Sequence, residues 1–302
     1  MPGWDDSERA ALVALLRLNP GERSHHDLVQ RLTEEPSALA LLRERLPADL
    51  FGDPFDDALE SARLEVEAWE TAGVHVLTMG EERYPHCLRD AFDRPALLFA
   101  QGQVVPADQG VAVVGSREVS DFGRRVAADI ATALAHRGLT VVSGLAAGVD
   151  TTAHTSALRA GGRTVAVIGT GVDRYYPPEN AALQREIATK GAVFSQFWPG
   201  QGASKTSFPI RNGTMSGYAL ATVIVEAGER SGTRIQARKA VEHGRPVVLM
   251  RGVATHTTWG REIAARPDVH VVSSAQEAMS VIDAVADRPN QLDALMRRAM
   301  NG

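Results

Sequence analysis

The chain holds one cysteine, Cys87, in 302 residues. A lone thiol excludes an intrachain disulfide and a cysteine-rich metal cluster. No stretch approaches the roughly 20 apolar residues that a membrane-crossing helix needs. The first ten residues, MPGWDDSERA, carry neither the basic nor the apolar region of an export signal, so a cytoplasmic location is expected. Aromatic residues make up only 5% of the chain, which leaves few rings to stack on nucleobases. A Walker A loop is missing, and Gly169-Thr170-Gly171 offers a G-x-G without the rest of the dinucleotide fingerprint. No acidic residue closes the following strand to hold a ribose, because Gln196 stands there. P-loop hydrolysis and nicotinamide redox chemistry both lose their support. Internal repeats and low-complexity runs are absent too.

What is present is a set of strand-like segments, each ending in a turn of small residues: Val111–Arg117 (VAVVGSR), Thr140–Asp150 (TVVSGLAAGVD) and Thr164–Gly171 (TVAVIGTG). Near-continuous apolar runs of this length read as strands buried on both faces of a parallel sheet. Ligands of such sheets bind at the carboxyl ends of the strands, where these turns lie. Further strands are expected at 192–197, 221–226, 246–251 and 269–273, with helices at 121–137, 150–160, 179–189 and 232–243. The alternation predicts a doubly wound, mainly parallel α/β sheet. Upstream, Ser7–Leu18 and two shorter segments have helical spacing, and Pro47–Asp57 reads as a linker. A helix then runs through Trp69, followed by strands in Gly73–Gly80 and Pro95–Gly102. The expected division is a small helical domain over 1–60 and a Rossmann-like domain over 61–302, its core at 108–286. The segment 275–299 is expected to be helical.

With 44% hydrophobic and 23% charged residues, the composition suits a globular protein with a sizeable core. Its net charge of -5 hides an asymmetry. Residues 1–110 hold 10 Lys/Arg against 21 Asp/Glu, whereas 111–252 hold 17 against 10. An excess of cations where the crevice should be is the footprint of a polyanion, although solvated helix faces would give the same bias.

Four turns could carry binding. In Gly115–Gly123 a strand ends at Ser116 and Arg117, just before a helix whose N-terminus favours an anion. Arg117 adds a planar donor fork suited to phosphate. Ser143–His154 places Gly144 and Gly148 in a tight turn, with Asp150 and His154 at i and i+4 on the next helix. No third ligand accompanies that pair, so it reads as structural rather than catalytic or metal-binding. Tyr175-Tyr176-Pro177 reads as a rigid loop. The stretch Pro199–Asn212 brings Lys205 in a loop, then Arg211 and Asn212 at an expected helix start. Finally Ser231-Gly232-Thr233 opens a basic helix that includes Arg234.

Taken in order, these elements resemble the DNA-processing protein A family (DprA, also called Smf). The matching text is GSR…S.FG, SGLAAGVDTTAH, TVAVIGTGVD..YP.EN, FPIRN and VIVEA…SGT, over roughly residues 65–255. The resemblance implies an extended Rossmann-like fold that binds single-stranded DNA in a basic pocket without catalysis or cofactor. It also implies protection of incoming strands, loading of the RecA recombinase during natural transformation, and a homodimer. Carried onto this chain, the pocket would use Arg117, Arg211 and Asn212, shaped by Ser116, Ser143, Gly144, Gly148, Ser231 and Gly232, with Arg234 brought into the turn. Lys205 joins the set from its loop position alone.

The chain departs from the family's usual text at Gly213 (for the second arginine of RNR), at Gln196 (for Glu) and at SGTRIQA (for SGSL.TA). No winged-helix-like pattern is read after the core. Two other functions stay open at this point. One is a nucleotide sensor or phosphoribohydrolase-like enzyme, for which Gln236 stands where a carboxylate would help and Glu226 would have to face the pocket. The other is a DprA-like component of an anti-phage system.

Overall fold

The computed structural model describes residues 4–18, 22–48 and 53–288. Four helices come first: α1 (Asp6–Leu18), α2 (Glu22–Glu34), α3 (Ala38–Arg45) and α4 (Pro54–Thr71). Ser37 caps α3 by accepting from Ala40 N at 3.1 Å, and Asp53 caps α4 by accepting from Phe55 N at 3.1 Å. The expected linker therefore ends earlier than its sequence suggests, since Pro54 sits in the first turn of α4, where its missing N–H costs nothing. Helix α4 continues across position 60 and packs on the first strand.

The remaining elements are β1 (His75–Thr78), α5 (His86–Arg89), β2 (Leu97–Gly102), β3 (Gly110–Val114), α6 (Asp121–His136), β4 (Thr140–Ser143), α7 (Val149–Arg159), β5 (Thr164–Val167), α8 (Ala181–Lys190), β6 (Ala192–Ser195), α9 (Ser207–Tyr218), β7 (Ala221–Ile224), α10 (Thr233–Glu242), β8 (Val247–Met250), α11 (Arg251–His256), α12 (Thr258–Ala264), β9 (Val269–Val272) and α13 (Ala275–Ala286). The nine strands lie in the order β1-β2-β6-β5-β4-β3-β7-β8-β9. β2 runs antiparallel to both β1 and β6, and every other pairing is parallel. This is the expected mainly parallel α/β sheet with helices at its N-terminal end.

Alternation along each strand divides the core between the two faces. On one face Val111, Val113, Val141 and Val223 pack against α6, α7 and α13. The same face continues through Ala166, Val193 and Phe99 to α8 and the N-terminal helices. The opposite face, with Ala112, Val114, Val165 and Phe194, is covered by α9, α10, α11 and α12. Both faces are buried, so the strands read as unbroken apolar runs.

The predicted strands and intervening helices lie where the sequence places them, to within two residues at most ends. Helix 179–189 starts differently: Pro178–Asn180 is a 3-10 turn that leads into α8. Of the expected helix 275–299, α13 ends at Ala286, and 289–299 lies outside the described residues. Three helices were not expected, α5, α11 and α12, and α9 begins at Ser207, four residues before the helix start expected at Arg211.

A cleft at the strand ends

Strands β3, β4, β5 and β7 deliver their C-terminal turns to one crevice. Its larger part is a cleft of about 510 Å³ lined by Ser116, Arg117, Arg211, Asn212, Ser231 and Gly232, among others. A smaller recess beside it holds Gly144, Thr170, Tyr176, Pro177 and Phe208, and shares Arg117 and Arg211.

Arg211 is the centre of the site. It lies in the second turn of α9, not at a helix start as the sequence suggests, and is only 7% exposed. Its Nη1 donates to Gly144 O at 2.7 Å and to Val167 O at 2.8 Å, and its Nε donates to Asn212 Oδ1 at 3.0 Å. The guanidinium thus satisfies carbonyls at the ends of β4 and β5, and Nη2 makes no hydrogen bond to the described residues. That geometry explains Gly144: a Cβ there would stand 2.2 Å from Arg211 Nη1. Burial draws the guanidinium below its ordinary value, while the charge of Asp150 supports it.

Asp150 is also buried, and its Oδ2 accepts from Gly144 N at 3.1 Å and Ala146 N at 3.3 Å. Burial raises its pKa, against the pull of Arg211. The carboxylate therefore pins the β4–α7 turn from inside α7. In the same turn Gly148 has φ +82, and a Cβ on it would stand 2.3 Å from Ser116 O. Only glycine lets the two turns close on each other here. Ser143 lies beneath the crevice and not in its lining, its Oγ donating to Val113 O at 2.7 Å. His154 is buried and bonded through Nδ1 to Thr164 Oγ1 at 2.7 Å. Since Thr164 Oγ1 donates its own proton to Val141 O, the imidazole is the donor. Desolvation holds its pKa at about 3, so it stays neutral. The i, i+4 pair of the sequence is structural, and no group of metal ligands occurs among the described residues.

Arg117 is exposed, its guanidinium 5.7 Å from the Phe208 ring centroid. Arg211 approaches the same ring at 5.9 Å, and Tyr176 at 5.5 Å. Two cations and two rings thus share one mouth of the crevice. The sequence reading passed over Phe208 and took Tyr176 for a loop former. Reading FPIRN as helical would have found Phe208, because i and i+3 share a face.

Lys205 and Arg234 do not join the site: both are exposed and neither lines the crevice. Arg230 takes the place expected of Arg234, because Ser231-Gly232 turns the chain before α10 begins. Ser231 instead stiffens that turn, its Oγ donating to Thr233 Oγ1 at 2.8 Å. Glu226 faces α6 and accepts from Ser120 N at 3.0 Å and Ser120 Oγ at 2.5 Å.

With the crevice described, its relatives can be compared. The family described as DNA recombination-mediator protein A matches residues 75–283. The chain belongs to this family. Among curated members, protein Smf of Synechocystis is 39% identical over 176 residues, which cover 57% of this chain and 44% of that relative. The chain thus spans less than half of that protein. The X-ray structure of DprA from Streptococcus pneumoniae superposes with a TM-score of 0.63 at 32% identity, over 74% of this chain and 81% of that one. DprA from Helicobacter pylori, a structure described for its single-stranded DNA binding mode, shares the fold with a TM-score of 0.61 at 24% identity, over 71% of this chain and 96% of that one.

Two other features of this family member look functional and are not part of the crevice. Ser216 Oγ lies 2.7 Å from His243 Nδ1, and His243 Nε2 lies 2.6 Å from Asp93 Oδ1. The order is that of a nucleophilic triad, but Ser216 is 0% exposed. Asp93 also accepts from Lys239 Nζ at 2.6 Å. The network straps the β1–β2 connection to α9 and α10. A second cleft of about 700 Å³ lies between α2, the loop before α9, and α10. Its cations are committed within the protein: Lys239 to Asp93, Arg238 to Glu242, and Arg94 to Thr33. Among the described residues no helix is long and apolar enough to cross a membrane.

Proposed function

We propose that the crevice holds single-stranded DNA by its phosphates and carries out no chemistry on it. The observation that carries this reading is the pair of guanidiniums on Phe208, with Arg117 exposed and Arg211 keeping its Nη2 unbonded. A planar fork with free donors suits a phosphate oxygen, and an aromatic beside it offers a surface for the adjoining base. Membership of the recombination-mediator family supports the same ligand. A base-releasing enzyme is disfavoured, because Glu226 is spent on Ser120 and position 236 is an amide. In this reading the protein shields strands as a homodimer and passes them to the RecA recombinase.

The test is binding of a fluorescent strand of about 20 nucleotides across a salt series, with duplex and nucleoside monophosphate as competitors, for wild type and Arg117→Ala. Single-strand preference with a shallower salt dependence in the variant is expected. Absence of binding at low salt, or displacement by the monophosphate alone, would overturn the reading.

A further inference from the structure

Gln236 is 1% exposed, lies in the second turn of α10, and lines the cleft. Neither end of its carboxamide, Nε2 or Oε1, has a hydrogen-bond partner among the described residues. A buried polar group in that state destabilises the fold, so its presence calls for a reason outside the fold's own energetics. Neighbouring groups show the contrast. Thr233, one turn earlier, is bonded to Ser231 and Gly115, and Arg211 spends three of its donors on the protein.

The chemistry of the unpaired group narrows what it can meet. A phosphate offers acceptors only, which would leave Oε1 unpaired and facing negative charge. A carboxamide needs a partner with a donor beside an acceptor, in one plane. On the Hoogsteen edge adenine is the base with that pattern, N6–H2 beside N7, and a glutamine pairs with it in two parallel bonds. Asn212 presents a second amide to the same cleft, its Oδ1 taken by Arg211 and its Nδ2 without a hydrogen-bond partner among the described residues.

We infer that Gln236 reads a nucleobase in the cleft and gives an otherwise sequence-tolerant site a preference for adenine at one nucleotide position. This rests on the reading of the cleft as a single-strand site. Phosphate contacts set affinity and register, and Gln236 adds discrimination.

The experiment compares three fluorescent 20-mers, oligo-dA, oligo-7-deaza-dA (which lacks the N7 acceptor) and an abasic strand, with wild type, Gln236→Met and Gln236→Thr. Wild type is expected to bind oligo-dA about tenfold tighter than oligo-7-deaza-dA, the size of one two-bond base contact, and tighter still than the abasic strand, which also loses stacking on Phe208. Both variants should bind oligo-dA and oligo-7-deaza-dA alike, at the wild-type affinity for oligo-7-deaza-dA and with the wild-type salt dependence. Gln236→Met should melt at the wild-type temperature or above, since it removes an unpaired amide. The inference falls if wild type treats oligo-dA and oligo-7-deaza-dA alike, if a variant keeps the preference, or if Gln236→Met melts several degrees lower. Binding of the abasic strand by wild type would leave the single-strand reading standing in each of those cases. Failure of wild type to bind any strand overturns both.

Discussion

Arg211 is placed to hold the fold together as well as to meet a ligand, and the two roles separate under mutation. Replacing it with alanine removes the hydrogen bonds to Gly144 O and Val167 O, both in a buried region. It also leaves Asp150 buried without the cation that offsets its desolvation. Removing one member of such a buried set costs about 3–5 kcal/mol. The accompanying change, Asp150→Asn, keeps an oxygen for Gly144 N and Ala146 N and removes the charge that supports Arg211. The double variant should therefore be less damaged than the sum of the singles, by roughly 1–3 kcal/mol of coupling. Urea unfolding at pH 8 measures all four corners of the cycle, each midpoint converted with its own slope. A loss below about 1 kcal/mol for Arg211→Ala, or additivity within about 0.5 kcal/mol, would refute the assignment of Arg211 and Asp150 to one electrostatic unit.

Other expectations follow from the same geometry. His154 takes a proton at about 3 in the folded chain and near its ordinary 6.5 when unfolded. The unfolded state therefore binds more protons between those values, and stability falls as pH drops through 6.5. The loss is about 2 kcal/mol at pH 5 relative to pH 8, and His154→Asn should lose correspondingly less in paired urea titrations. Asp93 behaves with the opposite origin: burial works against its charge, but the bonds from His243 and Lys239 prevail and hold it at about 2. Its contribution, about 2 kcal/mol, is present above pH 4 and lost as pH falls toward 2. Asp93→Asn should flatten the melting-temperature profile in that window, and an unchanged profile would contradict the strap. For Arg117→Ala, loss of one phosphate contact lowers the single-strand salt slope by about 0.7, so the wild-type advantage shrinks roughly 2.5-fold between 50 and 200 mM salt. Parallel salt plots would remove Arg117 from the phosphate contacts.

Much of the sheet was legible because its strands are buried on both faces, which leaves runs such as Val111–Val114 and Val247–Met250 with no polar interruption. The start of helix α9 was not legible, and the reason lies in its residues. Pro209, Gly213 and Gly217 lower its intrinsic propensity, yet Pro209 falls in the first turn, where no N–H is needed. Gly217 is dictated by packing, since a Cβ would stand 2.8 Å from Ala91 Cβ and from Leu88 Cδ1. Tertiary contact thus selects residues that local preference would reject. The same limit governed the site. Arg117, Arg211 and Asn212 were found from their turns and from family text, whereas Lys205, included for its loop position, and Arg234, included for its place in the turn, line neither part of the crevice. Charge near a crevice in sequence does not fix direction; a carbonyl that a guanidinium must satisfy does.

That distinction bears on how the crevice divides its work. An arginine has five donors, and Arg211 gives three to the protein before any ligand arrives. Its orientation is then set by β4 and β5, and little side-chain freedom remains to be lost when a phosphate meets Nη2. Arg117, exposed and bonded to none of the described residues, retains that freedom and acts mainly through charge. A fixed cation and an adjustable one beside the same ring suit a ligand with a regular charge and variable bases. The unpaired amide of Gln236 at the same cleft is then the group with something left to distinguish, because it is the one whose hydrogen bonds a uniform backbone cannot complete.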